Sequence, residues 1–228
     1  MFRIEDGICS IDCFEPRVRI AVSTRDFVRS RWNEFFDAAG FGAVPVLLPK
    51  QEHTNRILVA ETDVLDLTSP ADGILTRRTD IALGVKTADC IPAVFWDPCQ
   101  NVLGVIHAGW RGLHQGILPK TVGLMKEEFG CRAEDIQVVF GPSIRGDFYA
   151  VGPEFKNYFP DHYGKPREKH IDLMAIAVDQ VRVAGITPGA VFDAGLCTYS
   201  EKGLFYSVRR EKATPERTLT VARIRPAT

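Results

Sequence analysis

Ile91-Pro92-Ala93-Val94-Phe95-Trp96-Asp97-Pro98-Cys99-Gln100-Asn101-Val102-Leu103-Gly104-Val105-Ile106-His107 holds two apolar runs joined by a short polar segment with a proline. Apolar runs bounded by turn residues read as strands, and so short a connection reads as a β-hairpin. With Asp97-Pro98-Cys99-Gln100 as the turn and Trp96 opposite Asn101, the ladder places Cys90 directly opposite His107. Side chains so opposed stand about 4.5–5.5 Å apart, close enough to share a metal or exchange a proton. A slip of one residue would send them to opposite faces. Just outside the strands, Asp89 adjoins the thiol, and Gly109 and Gly112 bracket Arg111 beyond the imidazole. Glycines let backbone approach a ligand closely, and arginine offers two parallel donors to phosphate or carboxylate. A helix beginning near Leu113 would add N–H groups aimed at an anion. A structural cysteine packed beside a buried histidine is the other reading of the same residues.

Working outward, short apolar runs at residues 18–22, 44–48, 73–76, 81–85, 136–140, 204–208 and 219–224 carry the same strand signal. Three stretches, 30–39, 113–129 and 170–184, have helical spacing instead, the last two ending on Gly130 and Gly185. Strands dominate, and the helices lie between groups of strands rather than alternating with them. This pattern predicts a mixed α/β (α+β) domain of layered sheets, largely antiparallel, over a doubly wound fold. No G-x-G-x-x-G or P-loop supports the latter. His53, in Gln51-Glu52-His53-Thr54, follows the 44–48 run in a polar stretch. It sits where a strand-end ligand would, and equally where a solvated loop histidine would.

The 228 residues contain no repeat, linker or composition shift, so one domain spanning 1–228 is expected. Hydrophobic residues make up 45% and charged residues 25%, which excludes a disordered chain. Lys+Arg is 28 against Asp+Glu 29, which lacks the basic footprint of a nucleic-acid binder. No apolar run reaches the ~20 residues of a membrane span, and no basic-then-apolar leader opens the chain. Six cysteines are too sparse for a disulfide scaffold and read as reduced thiols. The expectation is a cytoplasmic protein acting on a small molecule, with no nucleic-acid or membrane partner, as a monomer or homodimer.

Several blocks together resemble a known family. They are Gln51-Glu52-His53, Ala71-Asp72-Gly73-Ile74-Leu75-Thr76, Thr87-Ala88-Asp89-Cys90-Ile91-Pro92 and Ile106-His107-Ala108-Gly109-Trp110-Arg111-Gly112. Gly141-Pro142-Ser143-Ile144, Ile171-Asp172-Leu173, Cys197-Thr198 and Phe205-Tyr206-Ser207-Val208-Arg209-Arg210 follow in the same order. The chain resembles the YfiH/YlmD-type laccase-domain proteins, also described as purine nucleoside phosphorylases and peptidoglycan editing factors. It differs at Tyr199-Ser200, where a second cysteine often follows the Cys-Thr pair.

The resemblance implies the YfiH-like α-β-β-α layering and a zinc site with His53, Cys90 and His107 as ligands. Three ligands leave a position open, as in catalytic zinc. The implied activities are deamination of adenosine and phosphorolysis of purine nucleosides, including inosine, guanosine and methylthioadenosine. Beside Cys90 and His107, Arg111 is the expected anion contact, and Asp89 the expected support or proton shuttle. Polyphenol oxidation with copper is an alternative, but five histidines are too few for a mononuclear site plus a trinuclear cluster. A Cys90/His107 hydrolase acting as an amidase on cytoplasmic peptidoglycan precursors is another, since the fold resembles a toxin deamidase with a Cys/His pair.

Overall fold

The computed structural model describes residues 2–14, 17–212 and 214–226. Two mixed six-stranded sheets face each other. The first takes β1 (Phe2–Glu5), β2 (Ile8–Ile11), β3 (Val18–Ser23), β4 (Val46–Leu47), β7 (Ala82–Thr87) and β12 (Thr218–Ile224), in the order β1-β2-β3-β12-β7-β4. The second takes β5 (Ile57–Val59), β6 (Gly73–Thr76), β8 (Ile91–Asp97), β9 (Val102–Ala108), β10 (Gln137–Phe140) and β11 (Val191–Asp193), in the order β11-β10-β8-β9-β6-β5. Pairing is antiparallel except at β4–β7, β5–β6 and β10–β11.

Strand alternation builds the layers. On β8 and β9, Val94, Trp96, Leu103 and Val105 point inward and meet Ile20, Val22, Leu83 and Val85 of the first sheet. Ile91, Ala93, Phe95 and Ile106 point the other way, onto α3 (Ile117–Phe129) and α5 (Leu173–Val183). The first sheet's outer face is covered by α1 (Trp32–Ala38), whose Phe35 packs with Phe27 and Phe41 against Leu219 and Val221. The order is helix, sheet, sheet, helix, as the resemblance implied. Three short helices complete it: α2 (Trp110–His114), α4 (Phe155–Tyr158) and α6 (Val208–Glu211).

The hairpin forms, but not in the expected register. Asp97 pairs with Val102, Trp96 with Leu103 and Pro92 with His107. The four-residue loop lies one position further along, because Asp97 Oδ1 accepts the N–H groups of Cys99 at 2.8 Å and Gln100 at 2.9 Å. Asn101, at φ 54°, closes the loop, a left-handed geometry asparagine tolerates. Cys90 therefore stands diagonal to His107 instead of directly opposite. The displacement is even, so both stay on one face.

Other expectations change in kind. The 113–129 helix is two helices, broken at Gly116, which adopts φ 71°. Residues 204–208 form no strand. Ser207 instead caps α6 by accepting the Arg210 N–H at 3.1 Å. β1, β2, β5 and β11 are additional strands whose short runs carry little periodicity.

Candidate metal centre

β7 belongs to the first sheet and β8 to the second, so the chain crosses between sheets at Ala88-Asp89-Cys90. Asp89 makes the turn at φ 96°. Its carboxylate is fully engaged by the Thr198 hydroxyl at 2.8 Å and the Arg209 N–H at 2.7 Å. The crossover thus ties the C-terminal segment to the site and leaves the Cys90 thiol beside the end of β9.

At that end stands Asp72, the residue just before β6, which the sequence reading did not assign to the site. Gly73 pairs with Ile106, so Asp72 falls opposite His107, whose N–H donates to the Asp72 carbonyl at 2.7 Å. The Asp72 Oδ1 lies 2.7 Å from His107 Nδ1. Asp72 also accepts the N–H groups of His53 at 3.0 Å and Thr54 at 2.6 Å, and the Thr54 hydroxyl at 2.8 Å. One buried carboxylate therefore orients His107 and folds the loop carrying His53, which adopts φ 59°. Its signal in the sequence was an aspartate directly before a strand, informative only once β6 is paired with β9.

His53, Cys90 and His107 offer nitrogen and sulfur atoms all within 4.8 Å of one another, the one such group of three or more among the described residues. Cys90 Sγ and His53 Nε2 are 3.8 Å apart. Tetrahedral zinc, with bonds of ~2.3 Å to sulfur and ~2.0–2.1 Å to nitrogen, spaces such ligands roughly 3.6 Å apart. The donor set suits zinc in type and number, and the Cys90–His53 spacing is close to that value. Gly109 keeps the space open, since a Cβ there would lie 2.8 Å from His53 Cδ2 and 3.0 Å from Cys90 Sγ.

Burial alone would push the Cys90 thiol up, but the charge on His107 and hydrogen bonds from His107 and His53 bring it down to about 6. Burial likewise opposes charge on His107, yet Cys90 and Asp72 raise it to about 9. Thiolate on Cys90 and positive charge on His107 therefore favour each other. Asp72 stays ionised despite its burial, held by His107 and Thr54.

The three donors open onto a cavity of about 850 Å³. Asp89, Trp110 and Tyr149 line it, and so do the cations Arg29, Lys86, Arg209, Lys212 and Arg217. Arg111 does not line it; the guanidinium lies over the Trp110 ring, 4.3 Å from its centre. The remaining histidines are elsewhere. His114 packs on Tyr158 and Phe159, His162 lies 3.4 Å from Asp179, and His170 contacts Arg167 and Glu168. Met125 and Met174 are core residues under the second sheet.

The fold has close counterparts among solved structures. The Bacillus licheniformis hypothetical protein YfiH superposes with a TM-score of 0.89 at 23% identity, covering 98% of this chain and 99% of that one. YlmD from Geobacillus stearothermophilus gives 0.88 at 21% identity, covering 99% of each. In sequence, a purine nucleoside phosphorylase of Aquifex aeolicus is 36% identical over 183 residues, 78% of this chain and 82% of that protein. The adenosine deaminase RL5 of an unknown prokaryotic organism is 31% identical over 193 residues, 77% of this chain and 73% of that protein. The family described as multi-copper polyphenol oxidoreductase laccase matches residues 22–225, and to that family this chain belongs.

Proposed function

We propose that this chain is a zinc-dependent enzyme of purine nucleosides, catalysing phosphorolysis and the deamination of adenosine. The observation that carries this reading is the three-donor group His53, Cys90 and His107 opening onto a large, cation-lined cavity. Relatives named purine nucleoside phosphorylase and adenosine deaminase support it. Bound by the three residues, zinc supplies a Lewis acid that lowers the pKa of a water toward neutrality.

The chain's own residues do the rest. Asp72 keeps the His107 proton on Nδ1, so Nε2 faces the donor group. Trp110 and Tyr149 offer aromatic surface to a base. In phosphorolysis a phosphate oxygen bonds to the anomeric carbon, the carbon–nitrogen bond breaks, and its electron pair leaves with the base, which takes up a proton. In deamination water adds at C6 and ammonia leaves. Asp89 acts in this scheme by holding the Cys90 turn and Arg209, and Arg111 by supporting Trp110. A multi-copper oxidase is disfavoured because His114, His162 and His170 lie away from the donor group. The protein acts in the cytoplasm on small molecules, without nucleic acid or membrane, as a monomer or homodimer.

Incubating the purified protein with adenosine and phosphate, then resolving products by liquid chromatography, tests the reading. Inosine, adenine or ribose-1-phosphate is expected, and none with Cys90→Ser. Unchanged adenosine would overturn it. One observation favours a second reading: Cys90, His107 and Asp72 follow each other as nucleophile, base and orienting carboxylate do. An amidase built on them does not need His53. Activity that survives His53→Ala but not Cys90→Ser identifies that chemistry.

A further inference from the structure

Lys86 lies near the end of β7, on the wall of the cavity. The Gln51 side-chain amide clamps its backbone, accepting the Lys86 N–H at 2.8 Å and donating to the Lys86 carbonyl at 2.7 Å. The backbone at Lys86 is thus held, and the residue is half-buried. Arg29, ahead of α1, and Arg217, ahead of β12, line the same cavity. Among the described residues none of the three forms an ion pair. Of the carboxylates here, Asp89 is held by Thr198 and the Arg209 N–H, and Glu216 accepts the Arg29 backbone N–H at 2.9 Å. Arg217 gives one guanidinium nitrogen to the backbone carbonyls of Thr214 and Glu216, neither of them a charged partner. Burial, and repulsion from Arg29 and Arg217, weaken the hold of Lys86 on its proton, as expected where like charges converge without an anion.

Three cations around one cavity match an oxyanion of more than one charge and several acceptor oxygens better than a single carboxylate.

We propose that Lys86, Arg29 and Arg217 form a subsite for a phosphoryl group. The subsite stands on this geometry, whereas its use in phosphorolysis rests on the nucleoside reading above. A phosphoryl group reaches it either as free phosphate or as part of a phosphorylated nucleoside.

Isothermal titration of inorganic phosphate into the full-length protein tests the assignment. Lys86→Met and, separately, Arg29→Gln should each weaken binding at least tenfold, about 1.4 kcal/mol, while Lys86→Arg retains most of it. Arg29 is exposed, so its variant reports on binding even where Lys86→Met fails to fold. Undiminished phosphate binding in Arg29→Gln and Lys86→Met, or its loss in Arg111→Ala instead, overturns the subsite. Titrating adenosine and adenosine 5′-monophosphate separates the sources. A Lys86-dependent preference of tenfold or more for the monophosphate makes the group part of the substrate. Equal affinities, with Lys86-dependent phosphate binding, make it free phosphate. A protein that binds phosphate through Lys86 but leaves adenosine untouched keeps the subsite and sinks the nucleoside reading. Turnover with Lys86-independent phosphate binding does the reverse.

Discussion

At His107 the two ring nitrogens are told apart by one carboxylate. Asp72 takes Nδ1 at 2.7 Å and in the same stroke folds the His53 loop through the Thr54 amide and hydroxyl. Asp72→Asn keeps the shape and removes the charge, so zinc affinity should fall 10–100-fold, read by competition with a chromogenic chelator. An unchanged affinity would mean that packing alone aims the ring. Cys90 gives a second test. Its thiol is brought down to about 6, so in metal-free protein its alkylation by iodoacetamide should rise with pH to half-maximum near 6, against about 8.5 for an ordinary thiol. Added zinc should block the reaction. Cys9 and Cys131, buried and pushed up, should stay silent in the peptide map. A midpoint near 8.5 at Cys90 would show that the histidines do not hold the thiolate. Cys90 and His107 were legible as a pair from one hairpin. Asp72 was visible as a letter but not as a partner, because its role depends on strands whose contact spans 35 residues.

Among the elements, the hairpin shows why face is easier to read than register. The alternation of apolar residues sets which side chains share a face, and that survived the sliding of the loop. The exact pairing was set by Asp97, whose side chain captures two loop amides, a competition that a count of turn residues does not resolve. Residues 204–208 show the converse. A β-like run is overridden because Ser207 caps a helical turn and Asp89 takes the Arg209 amide. The α5 helix obeys its local signals, with Asp172 accepting the N–H of Met174 at 2.9 Å and of Ala175 at 3.3 Å. Asp172→Ala should cost about 0.5–2 kcal/mol in urea denaturation while leaving metal affinity as it was. No loss would show that packing of Leu173, Ile176 and Val181 holds the helix start without its cap.

Across the whole molecule, the donors His53, Cys90 and His107 come from a loop, a sheet crossover and a strand end, and only the folded chain gathers them. Zinc that binds the folded state alone must stabilise it by mass action. Chelator-stripped protein should therefore melt several degrees below the zinc-loaded form, with full recovery on adding zinc; equal melting temperatures would argue against a site assembled by folding. Sequence by itself determined the strand-rich layering, the shared face of Cys90 and His107 and the family resemblance, because these rest on patterns within a few residues of one another. Tertiary structure decided the carboxylate behind His107, the displacement of Arg111 onto Trp110 and the gathering of Lys86, Arg29 and Arg217 around one cavity. Those depend on which strands become neighbours and how two sheets part at their edge, a result of packing free energy summed over the chain that no local run of residues encodes.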